Sequence, residues 1–317
     1  MINPRAVPYG VVLAAVMSGA HAQSSVVLYG TLDVGTSWVS RTATADSHMF
    51  KLNADAGSSS RFGVRGSEDL GGGLAAIFNL EAPLSPKNGA VTGGANSGGC
   101  NAVAGRCTAP AFWRRNAYVG LKGYFGELTL GRNYTGAMIR QAPTLNALPS
   151  GINTGLSSDL SAQGINNDYW NNNQVRYDSP KLGPIDFSVH VAAGEGLTGR
   201  NLGGNIRYSE GGFASAFSYQ NDKGPNGKIM NWMILSAAYD FGGFRVNGAL
   251  TRVDNNNQDL TNPEAGTGIV GYNDSQAWTI GTTYRPTAQL ALGAQYWNIR
   301  DKVGVKTDNK QLVLNAD

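Results

Sequence analysis

The stretch "GSSSRFGVRGSEDLGGGLAAIFNLE", Gly57 to Glu81, decides the fold. Successive side chains of an extended chain point to opposite faces, so Arg61 and Arg65 fall on one side and Phe62 and Val64 on the other. The glycine-rich "EDLGGG" (Glu68 to Gly73) then turns the chain into a second short strand. A soluble sheet would place such arginines in bulk water. A membrane barrel also places them in water, but inside: Phe62 and Val64 meet lipid while Arg61 and Arg65 meet a wet lumen.

The pattern recurs down the chain. "VVLYGTLDVGTSW" reads as one strand with Leu28, Leu32, Val34 and Trp38 on one face and Tyr29, Thr31, Asp33 and Ser37 on the other. "RNAYVGLKG" is expected to point Tyr118 outward and Arg115 inward, if the aromatic residue marks the lipid face. "IDFSVHV" sets Ile185, Phe187, Val189 and Val191 against Asp186, Ser188 and His190. "GGFASAFSY" sets Phe213, Phe217 and Tyr219 against Ala214, Ala216 and Ser218, and "AWTIGTTYRP" sets Trp278, Ile280 and Tyr284 against Ala277, Thr279 and Thr283. Runs of this kind suit the ~9 to 11 residues that a tilted strand needs to cross a bilayer. Short connectors, such as "KLGP", "EGG" and "FGGF", alternate with long polar ones, as periplasmic turns and extracellular loops do. The expected fold class is all-β, a transmembrane antiparallel barrel, with about fourteen strands by this count.

The ends and the composition agree with export to a membrane. Arg5, the apolar "VVLAAVM" and the small-x-small "AHA" (Ala20 to Ala22) make residues 1–22 a signal peptide, leaving 23–317 as the barrel domain. No later apolar run approaches the ~18 residues of a transmembrane helix. A formal net charge of +3 leaves no basic face for a nucleic acid. Cys100 and Cys107 share the glycine-rich "GGCNAVAGRCTAP" of an exported chain, so an intraloop disulfide is favoured over a metal site, which would need further ligands.

One connector, residues 135–170, is too long for a structureless link in a compact domain. Its Met138, Ile139, Leu145, Leu148, Ile152 and Leu156 must rest on something, and in a wide barrel the loop can fold inward and narrow the channel.

The motifs "LYGTLDVG", "SSSRFGVRGSEDLGGGLAAIFNLE", "RRNAYVGLKGYFGELTLGRNY" and "VRYDSP" together resemble the trimeric general porins of Gram-negative bacteria, specifically the beta-proteobacterial type. The resemblance implies a sixteen-stranded barrel and a homotrimer in the outer membrane. It also implies contact with lipid and lipopolysaccharide, insertion by the barrel assembly machinery, and passive passage of small hydrophilic solutes and ions. Such porins end on an aromatic residue, whereas this sequence stops at "KQLVLNAD", so one closing hairpin is expected to be missing.

Permeation then needs a constriction whose charges set the ion preference. Alternation nominates Arg61, Arg65, Arg115 and Arg176 for its basic wall, and the resemblance supports Arg61 and Arg115 most directly. Opposing acid is expected from Asp159 and Asp168 in the long loop, with Asp33 and Glu81 as wall candidates by parity. The long loop offers only two acids against several arginines, so a weak anion preference is expected. Arg132 shares parity with the outward Leu128 and Leu130, and in the family the matching arginine receives the neighbouring subunit's second loop, which implies a place at the trimer interface. Enzyme chemistry is not expected: His21 leaves with the signal, His48 lies in the first loop, and His190 stands without a nucleophile, as an inward wall residue. No cofactor or metal is expected either. A substrate-specific channel would show a ladder of inward aromatic residues, and the inward aromatics by parity are few, chiefly Tyr29, Trp232 and Trp297. A non-conducting receptor or adhesin barrel is the remaining alternative.

Overall fold

The structure is a computed structural model that describes residues 25–42, 45–54, 58–91, 112–139, 141, 144, 170–194, 199–223, 227–256, 274–301 and 308–316. Its strands are β1 (Ser25–Thr31), β2 (Val34–Thr42), β3 (Ala45–Ala54), β4 (Arg61–Gly71), β5 (Leu74–Pro83), β6 (Asn116–Gly123), β7 (Gly126–Tyr134) and β8 (Trp170–Asp178). They continue as β9 (Ile185–Ala192), β10 (Asn201–Glu210), β11 (Phe213–Lys223), β12 (Ile229–Phe241), β13 (Phe244–Asn255), β14 (Asp274–Tyr284), β15 (Leu292–Asp301) and β16 (Asp308–Ala316). One short helix, α1 (Gly136–Ile139), follows β7.

Fourteen of these strands form a single sheet in the order β1-β4-β5 and onward to β16, each antiparallel to its neighbours in the sheet. This is the number of long strands expected from the alternation. β2 and β3 pair as a separate hairpin. The single strand expected from Val26 to Trp38 therefore breaks at Leu32 and Asp33, for a local reason. Ser60 Oγ donates to the Asp33 carbonyl and accepts from the Asp33 amide, and the Ser58 amide donates to the Asp33 carboxylate. Side-chain bonds replace the ladder at that point and divert the chain.

Alternation holds strictly along β14. There Ser275, Ala277, Thr279 and Thr283 are buried, whereas Gln276, Trp278, Ile280, Thr282 and Tyr284 are exposed. β9 and β11 repeat the pattern with the residues expected from the sequence. Leu250 is 61% and Ile280 54% exposed on a large apolar outer face, which only lipid can cover. A slip of one residue would send this face inward, so the burial of the inner face fixes the register. Every strand in such a sheet needs its backbone groups paired, because lipid offers none.

The short connectors gather at one end. In the turn between β12 and β13, Gly242 takes φ 61°, a conformation open to glycine and costly for a β-branched residue. Around it Tyr239, Phe241, Phe244 and Tyr284 stack in a row, with ring centroids 6.1, 5.9 and 4.5 Å apart. Aromatic rings with one polar edge settle at a membrane–water boundary, so this row marks the bilayer edge on the short-turn side.

Candidate functional site

On the inner face, near the long-loop ends of β4 to β8, four arginines meet a few acids and aromatic rings. Glu81, on β5 and 5% exposed, is the hub. Its Oε1 accepts from Arg115 Nε at 2.5 Å, its Oε2 lies 3.5 Å from Arg61 Nε, and Tyr29 Oη donates to Oε2 at 2.9 Å. Tyr29 can lie across the strands because Gly63 stands beneath it: a Cβ there would meet the Tyr29 ring at 2.8 Å. Arg61 also donates to the Ser59 carbonyl at 2.7 Å. Arg65 is exposed and stands over the Tyr29 ring at 5.1 Å, in the range of a cation–π contact.

Arg115 is gripped more tightly. Its guanidinium lies 4.8 Å from the Trp170 ring and 5.8 Å from the Tyr134 ring, and it donates to Tyr134 Oη. Two π faces and a carboxylate hold the cation flat, the geometry for which a planar guanidinium is suited and an ammonium is not. Farther along β8, Arg176 pairs with Asp178 at 2.8 Å and donates to the Tyr134 carbonyl. Among the described residues, this part of the wall sets four arginines, Arg61, Arg65, Arg115 and Arg176, beside two carboxylates, Glu81 and Asp178, an excess of two positive charges (four minus two).

The long connector starts by folding inward, as its apolar content and length lead one to expect. The Gly136 amide donates to His190 Nδ1 at 3.2 Å, and His190 Nε2 pairs with Asn201 Oδ1 at 2.7 Å. Ser218 Oγ donates to the Ala137 carbonyl at 2.7 Å. Gln141, fully buried, receives bonds on Oε1 from Ser218 and Asn205 and donates to Ser236 Oγ at 2.5 Å. Thr144 Oγ1 meets the same Ser236 hydroxyl. A segment that leaves β7 is therefore stitched to β9, β10, β11 and β12, across the inner face. Gly136 is required at the first stitch, since a Cβ there would lie 2.1 Å from Ser188 Oγ.

Set against the sequence reading, the structure brings Arg61, Arg65, Arg115 and Glu81 together and leaves Arg176 farther along the wall. Glu81 does not oppose the arginines across a gap but bonds to them. Asp33 is not part of the group, because its carboxylate binds the Ser58 amide at the break between β1 and β2. Tyr118 faces inward, contrary to expectation: it pairs in register with Asn79, which bonds Tyr29, while the next residue, Val119, is 61% exposed. Here the aromatic residue did not mark the lipid face, and Arg115 still faces inward because it lies before β6 begins, outside the alternation. Arg132 lies on the outward row, where it donates to the Arg114 carbonyl at 2.5 Å and to Asn172 Oδ1 at 2.7 Å. His190 faces inward as expected. Trp232 and Trp297 also face inward, but both are fully buried and so form no accessible ladder. Asp159, Asp168, Cys100, Cys107 and the signal segment 1–22 lie outside the described residues. Tyr134, Trp170, Asp178 and Gln141 were not singled out by sequence reasoning. The bare alternation of β8 would have found Asp178, two residues from Arg176.

A family model described as Gram-negative porin matches residues 10–317. Outer membrane porin protein 32 of Delftia acidovorans is 31% identical over 252 residues, 75% of this chain and 66% of that protein. Among solved structures, the anion-selective porin from Comamonas acidovorans superposes with a TM-score of 0.71 at 23% identity, over 93% of this chain and 84% of that one. The trimer form of OmpT from Vibrio cholerae gives 0.59 at 14% identity, over 92% and 82%. The chain thus spans just under two thirds of the Delftia protein, and 52% of a major outer membrane protein of Neisseria gonorrhoeae that it also matches.

Proposed function

We propose that this chain, which belongs to the Gram-negative porin family, forms a general diffusion channel in the outer membrane that weakly prefers anions. The observation that carries the reading is the arginine group on an inner wall. Among the described residues four cations stand with two carboxylates there, and the start of the long loop is bonded to β9, β10, β11 and β12 on the inner face. An excess of positive charge on a narrow wet wall raises the local concentration of anions and lowers that of cations. The anion selectivity named for the Comamonas structure agrees with this direction. Residues 1–22 serve as the cleaved export signal, and the protein works as a homotrimer in contact with lipid and lipopolysaccharide, inserted by the barrel assembly machinery. Arg61, Arg65, Arg115 and Arg176 are the cations of the constriction, Glu81 their counter-charge on the wall, and Asp159 and Asp168 oppose the wall from the loop, which keeps the preference for anions weak. Cys100 and Cys107 brace the second loop as a disulfide.

This is a channel reading rather than an enzyme reading. It is tested by single-channel recording over a series of salt concentrations. A diffusion pore gives ohmic conductance that rises in proportion to salt, whereas a substrate-specific channel saturates and a receptor barrel gives no steps. Swelling of proteoliposomes in sugars of graded size would confirm passage of neutral solutes by the same route.

A further inference from the structure

A second group of charges stands at the other end of the inner wall, by the short turn between β8 and β9. Asp186, 2% exposed, faces inward at the start of β9. Arg207 of β10, its direct partner in register, grips it with two bonds, Nε to Oδ1 and Nη2 to Oδ2, each 2.9 Å. Lys181 of the turn reaches Oδ2 at 3.0 Å. Two cations against one carboxylate leave the trio with one positive charge, and its outer members are wet: the Lys181 side chain is 61% and the Arg207 side chain 22% exposed. From β8 the neighbouring charges are Arg176 and Asp178, already paired to each other.

The trio is well separated from the Arg61, Arg65, Arg115 and Glu81 cluster, with the Arg176–Asp178 pair standing between them. Trp170, against which Arg115 stacks, and Asp178 are at opposite ends of β8, and at ~3.3 Å per residue the strand spans roughly 26 Å between them. Asp178 pairs with Ser188, so Asp186 lies two residues farther toward the turn. A separation beyond the ~8 to 10 Å screening length of physiological salt means that neither group substitutes for the other in attracting ions.

We propose that the Lys181–Asp186–Arg207 trio is a second selectivity station at the short-turn mouth, with Asp186 setting how much positive charge that mouth presents to small inorganic and carboxylate anions. The inference rests on the channel reading above. Asp186 subtracts one charge and also holds Arg207 to the wall, so removing its charge exposes two uncompensated cations. Removing a cation has the opposite effect, and opposite signs from neighbouring substitutions are not what a purely structural contact produces.

The test is the reversal potential in a potassium chloride gradient, in planar bilayers, for the wild-type chain and for Asp186→Asn, Arg207→Gln and Lys181→Gln. Asp186→Asn is expected to raise the chloride-to-potassium permeability ratio by roughly twofold, and Arg207→Gln and Lys181→Gln to lower it by a similar or smaller factor. The double variant Asp186→Asn with Arg207→Gln returns close to the wild-type ratio. Should Asp186→Asn fail to insert, the Lys181→Gln and Arg207→Gln shifts decide alone. Conducting channels whose ratio is unmoved by Arg207→Gln and Lys181→Gln overturn the proposal and leave the channel reading intact. Absence of conductance in the wild type overturns the channel reading and the second station with it.

Discussion

Arg115 and Glu81 are joined Nε to Oε1 at 2.5 Å with both side chains almost wholly buried, and Arg61 shares the same carboxylate from its other oxygen. One acid thus ties two basic positions from different parts of the chain into one rigid wall. Removing one partner of a buried pair is costly because the other is left without compensation.

The first prediction follows from that pairing. Glu81→Gln should lower stability in detergent by about 3 kcal/mol, since Arg115 keeps its charge and loses its counter-ion. Channels that do form should prefer anions more strongly than the wild type. Urea titration followed by tryptophan fluorescence, together with reversal potentials, checks both parts; unchanged stability would mean that Glu81 is hydrated and not a hub.

Arg65 separates selectivity from folding. It is exposed above Tyr29 and its described contact is that ring, so Arg65→Gln should change stability by no more than about 0.5 kcal/mol. The permeability ratio should nevertheless fall by roughly twofold, as a charge with no ion pair among the described residues leaves the lumen. An unaltered ratio would assign the anion preference to the other arginines.

The loop stitches predict a change in pore behaviour. Gln141→Leu removes one partner each from Asn205, Ser218 and Ser236, which keep the Phe217 carbonyl, the Ala137 carbonyl and Thr144, so it should cost about 0.5 to 1.5 kcal/mol for each lost bond. Gly136→Ala sets a Cβ against Ser188 Oγ and must displace the start of the loop. Both variants should show noisier open-channel current and a changed single-channel conductance. Quiet currents at the wild-type level would show that these residues do not position the loop.

On the outer face, Leu250→Arg should cost about 2 to 4 kcal/mol if the residue lies near the bilayer midplane, whereas Leu250→Phe should be close to neutral. Refolding into lipid vesicles with a urea gradient measures the difference. Equal stability of the two variants would mean that Leu250 does not meet lipid.

Arg132 gives a prediction about assembly. Its guanidinium ties the Arg114 carbonyl to Asn172 on the outward side, the face that we propose receives a neighbouring subunit's loop. Arg132→Ala should lower the melting temperature of the trimer on unheated gels. A trimer that melts as the wild type does would confine Arg132 to contacts within its own chain.

Much of this was legible in the sequence for a simple reason. A side-chain period of two over ten or so residues is enforced by lipid on one side and water on the other, so β9, β11 and β14 could be read residue by residue. The arginine wall was legible for the same reason at Arg61, Arg65 and Arg176. What alternation misses is whatever happens at strand ends. Asp33 was assigned to the wall because the pattern was carried through a break that Ser58 and Ser60 create. Tyr118 was turned the wrong way because its aromatic ring was taken to mark the lipid face, and Arg115 still faces inward because it lies before β6 begins, outside the alternation. The partnership of Arg115 with Trp170 and Tyr134, and of Gln141 with three strands, depends on segments distant in sequence meeting across a curved sheet, and no local period records that.

The most direct test of the account is the zero-current potential of this chain in a planar bilayer separating two concentrations of potassium chloride. The arginine wall predicts ohmic steps and a potential whose sign reports faster passage of chloride than potassium, shrinking toward zero when Arg61, Arg65 and Arg115 are replaced together by glutamine. Steps that favour potassium, or a potential indifferent to those three residues, would contradict it.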